Sequence, residues 1–312
     1  MKRIRNLPLA VTLAGTCLGI AVVYLLYLGS SGSRIAHDAP PPTAHPDYGR
    51  VICAAPSITE IVFTLGAGSR VVGVSDYSTY PPEAKDVARI GGQINPNRER
   101  ILSLEPDLII LQGKHQALAR FCRDQGIRSI SVEIDRIEHI ASAILTIGTW
   151  LGEEDSAEHL AADIKQQLSA LAQKTRSRIP RKVFLGLGHT PGDLTGLMTT
   201  GSGTFLHELI ELAGGRNIFA DAPGSYPTIS KEALVRRRPD VIIEVLAEGI
   251  SPDNQLLLKS DWDRLSTLPA VKAGRIFFLT DDYLLIPGVR ISQTAHRLAA
   301  AIHPEIFEDT RD

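Results

Sequence analysis

Cysteine is nearly absent: Cys17, Cys53 and Cys122 are the only three in 312 residues. Their irregular spacing excludes a disulfide framework and a CxxC-type metal centre. Cys53 falls in an apolar strand pattern and Cys122 in a helical one, both as small core residues. The formal net charge is -2 with no long basic run, which excludes a nucleic-acid surface, because neutralising phosphates takes clustered Lys and Arg. Catalytic signatures are missing too: there is no GxSxG elbow, no HExxH and no P-loop pattern, and nothing pairs a nucleophile with a base. "GSGTF" at Gly201 to Phe205 reads as a helix start capped by Thr204. The nine histidines are scattered, so a protein-held metal or cofactor is not expected.

What is present starts at the N-terminus. Lys2, Arg3 and Arg5 precede an uncharged apolar run of about 22 residues, enough for a transmembrane helix. Residues 1–28 are therefore expected to be a basic flank followed by an anchor or a signal segment, with the basic side cytoplasmic. Thr16 before Cys17 and the apolar residues after it are the wrong setting for a lipidated cysteine. Residues 29–49, "GSSGSRIAHDAPPPTAHPDYG", read as a solvated linker. The folded part is thus expected on the extracytoplasmic face.

From Arg50 onward strands alternate with helices, which predicts parallel βα units. Residues 50–136 form one expected α/β lobe and residues 179–312 a second. Residues 137–178 carry apolar positions at helical spacing, among them Ile140, Ile144, Ile147, Leu160, Ile164 and Leu168, with a break at Gly152. The expected fold is two Rossmann-like lobes with parallel sheets, joined by a long rigid helix, with a ligand cleft between them. The lobes repeat each other. "RERILSLEPDLIIL" from Arg98 and "KEALVRRRPDVIIE" from Lys231 share a Glu, a Pro-Asp pair and a β-branched run at an offset of 133 residues. "RVICAAPS" from Arg50 is mirrored by "KVFLGLGH" from Lys182 at an offset of 132. Such a period marks a duplicated lobe and not a solenoid.

In open parallel sheets, ligands sit beyond the carboxyl ends of the strands. That rule collects Pro56 and Ser57, Asp76 to Tyr80, Gln112 to His115, His189 to Asp193, Tyr226, and Asp281 to Tyr283. Four of the seven tyrosines, Tyr77, Tyr80, Tyr226 and Tyr283, fall in these loops. Amphipathic rings in a cleft suit a large, flat, partly polar ligand; pinning a loop is the plainer role for each. His115 and His189 could reach a ligand's metal, although a satisfied loop histidine is the commoner case. Trp150 and Trp262 read as core.

Taken together, "VICAAPSITEIVFTLGAGSRVVGVSDYSTYPPEA", "RERILSLEPDLIIL", "GTFLHELIELAGGRNIF" and "YPTISKEALVRRRPDVII" resemble the cobalamin- and ferric-siderophore-binding class of substrate-binding proteins of ABC importers. The resemblance covers Arg50 to Ile306. It implies a monomeric, non-enzymatic binding protein that hands a metal chelate to a permease dimer. It also implies permease docking through a glutamate on each lobe, matched here by Glu99 and Glu232. Tyr77, Tyr226 and Asp282 match positions that contact the corrin in cobalamin-binding members, whereas Gln93 and Gln112 stand where those members carry Trp. A corrinoid is favoured, with a ferric siderophore or haem as alternatives, and Arg290 could meet an anionic siderophore. A tethered chelate-modifying enzyme or sensor on this scaffold is the more remote reading.

Overall fold

A computed structural model describes residues 47–190, 192–246 and 251–307. The apolar N-terminal run expected to be an anchor or signal lies outside these residues. Among the described residues, no helix is long and apolar enough to cross a membrane.

The N-terminal lobe runs β1 (Val51–Cys53), α1 (Pro56–Thr64), β2 (Val71–Val74), α2 (Arg98–Ser103), β3 (Leu108–Gln112), α3 (Gln116–Asp124) and β4 (Arg128–Val132). Two helices follow, α4 (Ile137–Leu151) and α5 (Glu154–Thr175). The C-terminal lobe runs β5 (Arg181–Gly186), α6 (Phe205–Leu212), β6 (Gly215–Asn217), α7 (Lys231–Arg237), β7 (Val241–Val245), α8 (Pro252–Asp263), α9 (Pro269–Lys272), β8 (Ile276–Leu279) and α10 (Ile291–Ile302). Both sheets are four-stranded and parallel, with orders β2-β1-β3-β4 and β6-β5-β7-β8. Strand for strand, these are the same arrangement.

The duplicated Pro-Asp pair explains itself at the start of each central strand. Asp107 takes hydrogen bonds from the backbone N–H groups of Gly49 (2.9 Å) and Arg50 (3.1 Å), while its own N–H donates to the Arg50 carbonyl. Asp240 repeats this with Lys182: its carboxylate accepts from Lys182 N–H at 2.9 Å, and its N–H donates to the Lys182 carbonyl. The residue before each proline, Glu105 (φ 45°) or Arg238 (φ 51°), has left-handed backbone, and among the described residues these are the only non-glycines that do. The motif thus ends a helix, reverses the chain and clips the next strand to its neighbour. Helix starts are duplicated as well, since Asn97 and Ser230 side chains accept from Arg100 and Ala233 N–H groups.

Each central strand is buried on both faces, as parallel sheets require. Val51, Cys53, Leu108, Ile110, Val183, Leu185, Val241 and Ile243 face one core shared by both lobes and by α4 and α5. Ile52, Ile109 and Leu111 face a core private to the N-terminal lobe, and Phe184 and Ile242 one private to the C-terminal lobe. Trp150 lies in the shared core and Trp262 in the C-terminal one, and Cys53 and Cys122 are buried free thiols.

The connection is two helices, not the single long one expected. Gly152 takes φ 69° at the end of α4, and α5 folds back so closely that a Cβ on Gly148 would meet Ala157 Cβ at 2.4 Å. Arg70 bonds the Leu151 carbonyl (2.7 Å) and Glu153 (2.9 Å), fastening this corner to the N-terminal lobe. At the other end Glu208 of α6 accepts from Ile137 N–H and pairs with Arg136 at 2.7 Å.

Because Asp107 serves two backbone donors, Asp107→Ala should lower the unfolding free energy by about 1–3 kcal/mol in urea titrations. A loss indistinguishable from zero would contradict the clip.

Candidate functional site

The carboxyl ends of the two sheets meet at an ion pair. Glu60 on α1 and Arg290 at the start of α10 form a two-pronged contact, Nε to Oε2 at 3.1 Å and Nη2 to Oε1 at 2.6 Å. Their side chains are only 1% and 8% exposed. A third partner, Asp282, accepts from Arg290 Nη1 at 2.8 Å. The guanidinium lies 4.0 Å from the centroid of the Tyr80 ring and 5.2 Å from that of Tyr283, so one cation is held by carboxylates and rings from both lobes. Burial pushes the Glu60 carboxyl above its usual range despite Arg290. Burial also opposes the Arg290 charge, but the hydrogen bonds it donates to Glu60 and Asp282 outweigh it and hold Arg290 charged. Beside the pair, a Cβ on Gly288 would stand 3.6 Å from Ser57 Cα, so the rims touch here.

Around this bridge the expected site residues sort into three groups. Tyr77 and Tyr80 project from the N-terminal rim, 42% and 39% exposed, and Asp282 and the half-buried Tyr283 stand on the opposite rim. The segment carrying the first two is fastened beneath them. Thr59 Oγ1 donates to Ser78 Oγ (2.8 Å), which lies 2.9 Å from Ser75 Oγ, and Arg89 donates to the carbonyls of Ser75 and Ser78.

The second group turns inward. Ser57 Oγ donates to Gln112 Oε1 at 2.8 Å, Gln93 Nε2 donates to the Gln112 carbonyl at 3.3 Å, and His115 Nε2 contacts the Gln93 carbonyl. These four side chains are brought together as a buried network just inside the N-terminal rim, with Pro56 buried at the start of α1. In this arrangement Gln93 ties its loop to the end of β3, Gln112 takes its bond from Ser57 of α1, and both side chains are buried.

Third, His189 and Tyr226 are withdrawn into the C-terminal lobe. Tyr226 is buried in the shared core. His189 Nδ1 meets Glu244, its Nε2 lies 3.3 Å from Asp261, and Trp262 Nε1 donates to Glu244 at 2.8 Å. Burial opposes a charged His189 ring, yet the hydrogen bond and charge of Glu244, then those of Asp261, prevail and raise its pKa. The signal for this placement was Glu244 inside the apolar strand "VIIEV", since a carboxylate buried there needs a cationic or hydrogen-bonding partner.

Two further features were not singled out from sequence. Glu133, Asp135 and His139, after β4, bring three metal-type donor atoms within 4.8 Å of one another. A cavity of about 350 Å³ opens beside β6, the edge strand of the C-terminal sheet, lined among others by Lys182, Glu211, Arg216, Asp221 and Arg237.

Residues 51–283 match the periplasmic binding protein family. The chain belongs to that family. It is 31% identical over 255 residues to the vitamin B12-binding protein of Salmonella paratyphi A, covering 81% of this chain and 90% of the relative. The periplasmic vitamin B12 binding protein of Vibrio cholerae superposes with a TM-score of 0.71 at 27% identity, over 84% of this chain and 99% of that one. A periplasmic heme-binding protein from Roseiflexus sp. RS-1 superposes with a TM-score of 0.70 at 28% identity, over 83% and 99%.

Removing Glu60 takes away two of the three carboxylate hydrogen bonds that hold the buried Arg290 charge. Glu60→Ala should therefore cost about 3–5 kcal/mol of stability in urea unfolding, and Glu60→Met with Arg290→Met should recover most of it. A loss below about 1 kcal/mol would show that the bridge is dispensable. For His189 the sign follows from a raised folded pKa. Its contribution is complete below the unfolded value of about 6.5 and is lost as pH rises through the folded value. The unfolding free energy should fall over that interval, and His189→Gln should flatten the slope; an unchanged slope contradicts this assignment.

Proposed function

We propose that this chain is the substrate-binding protein of an ABC importer, working on the extracytoplasmic side of the cytoplasmic membrane, and that it takes a corrinoid between its lobes. One observation carries the reading: Tyr80 from one rim and the half-buried Tyr283 and the acid Asp282 from the other surround a fixed inter-lobe bridge, with Tyr77 exposed on the same loop as Tyr80. Rings at this position offer flat, amphipathic contacts for a flat chelate rimmed by polar groups. The vitamin B12-binding relatives support a corrinoid in particular. Haem is the second reading, supported by the heme-binding structural relative. The metal arrives within the ligand, and no covalent chemistry is needed.

Delivery is assigned to Glu99 and Glu232, both exposed in the first turns of α2 and α7. These helices run back along their sheets, so their starts lie toward the rims. At Glu232, the backbone N–H of that residue and the Ser230 side chain hold the carboxylate below its usual range, so it stays ionised. Leu102 and Val235, exposed one turn further on, repeat the same offset. A monomer presenting two matching acid-plus-apolar knobs fits a permease dimer with two equivalent cationic pockets. Residues 1–28 would keep the protein at the membrane if retained.

Titrating the full chain in detergent with cyanocobalamin, hemin and a ferric hydroxamate should give tightest binding for cyanocobalamin, and preference for hemin would transfer the assignment to haem. Tyr77→Ala should weaken cyanocobalamin binding about tenfold, the equivalent of one lost aromatic contact. Glu99→Ala with Glu232→Ala should leave that affinity intact and abolish uptake in cells; normal uptake would remove the docking role.

A further inference from the structure

The rims carry several cations, and the structure shows what each already holds. Arg290 is clamped by Glu60 and Asp282 and covered by the Tyr80 and Tyr283 rings. Arg297 is bonded to Asp281 at 3.0 Å, Arg136 to Glu208 at 2.7 Å, and Lys231 to Asp193 at 3.3 Å. Arg89 donates to the carbonyls of Ser75 and Ser78, and Lys114 is engaged as well. His189 is enclosed between two carboxylates. Among the described residues of these loops and helix starts, the exceptions are exposed Lys85 and exposed Arg98, which holds only the face of the Phe121 ring, and both stand away from the Glu60–Arg290 bridge. Acids outnumber cations at the bridge itself, where Glu60 and Asp282 face one guanidinium, and Glu133 and Asp135 add two more carboxylates on the N-terminal rim.

We infer that the cleft selects its chelate by charge, accepting a neutral or cationic one bearing amides and rejecting one that presents ionised carboxylates. A carboxylate entering beside Asp282 would have to displace it from Arg290 or sit against it unpaired, and either is unfavourable in a partly desolvated cleft. An amide at the same place can donate to the free lone pairs of Asp282 and needs no counter-ion. The tyrosine rings supply contact area without regard to charge. This inference deepens the proposed ligand class and rests on the same site, but it does not require the chelate to be a corrinoid.

The test keeps size and stacking constant. The full chain in detergent is titrated with cyanocobalamin and with cyanocobalamin in which one or two side-chain amides have been hydrolysed to carboxylates. Each carboxylate should weaken binding at least about fivefold, the scale of one unfavourable charge contact, and Asp282→Asn should recover most of the loss for the hydrolysed forms. Equal affinity for amide and carboxylate forms overturns the inference while leaving a corrinoid site standing. If no corrinoid binds, cationic ferrioxamine and anionic ferric citrate decide. Binding of ferrioxamine alone supports charge selection and ends the corrinoid reading, whereas binding of ferric citrate or hemin ends both.

Discussion

Glu60 and Arg290 are 230 residues apart in the chain, yet they make the most enclosed charged contact between the lobes. Two hydrogen bonds in fork geometry fix distance and angle together, which a point charge could not do. The rim residues nearest it are arranged around that contact: Tyr80 and Tyr283 lie against the guanidinium, Asp282 completes its coordination, and Ser57 abuts Gly288. A buried pair of this kind adds little net stability compared with apolar residues of the same size. Its contribution is to permit one relative placement of the rims and to penalise the others.

The helical connection works in the same direction from behind. A hinge of extended strands would let two lobes swing, whereas α4 and α5 are packed into a core that both sheets share. Residues from β1, β3, β5 and β7 enter that core, so rotating one lobe would open apolar surface along its whole length. A fixed separation of the rims and a fixed separation of the two knobs are then one property. Under the proposed function, that one property would serve both the ligand and a two-fold partner.

Much of this was legible in the sequence because it is local. Parallel βα units leave a periodic apolar record, and the 133-residue offset marks the duplication without any knowledge of contacts. The Pro-Asp pair was visible as a motif, although its role as a strand clip needed the partners Arg50 and Lys182. Thr204 was readable as a cap because capping depends on a residue three positions away, and its side chain accepts from His207 N–H.

What escaped depends on pairing across long separations. Glu60 lies beside the apolar stripe of α1, next to Ile58, Ile61 and Val62, and an acid buried there calls for a cation that no local pattern can name. The strand-end rule places His189 and Tyr226 in loops after strands but says nothing of which way they point. Gln93 and Gln112 were read as ligand-facing and instead bond within the N-terminal rim, because buried polar groups find partners first. The break at Gly152 was seen, while its consequence, a folded-back pair of helices, required the close approach at Gly148.

The claim that the buried bridge fixes the lobes is tested most directly by a distance. Spin labels would be placed at Ser103→Cys and Arg236→Cys, equivalent exposed positions on the two lobes. Cys17 would be changed to serine, while Cys53 and Cys122 stay, since burial raises both thiols' pKa and shields them. Double electron–electron resonance should give one narrow distribution that hardly shifts with cyanocobalamin and broadens in Glu60→Gln. A broad distribution in the unaltered bridge, or an identical narrow one without it, would contradict the account.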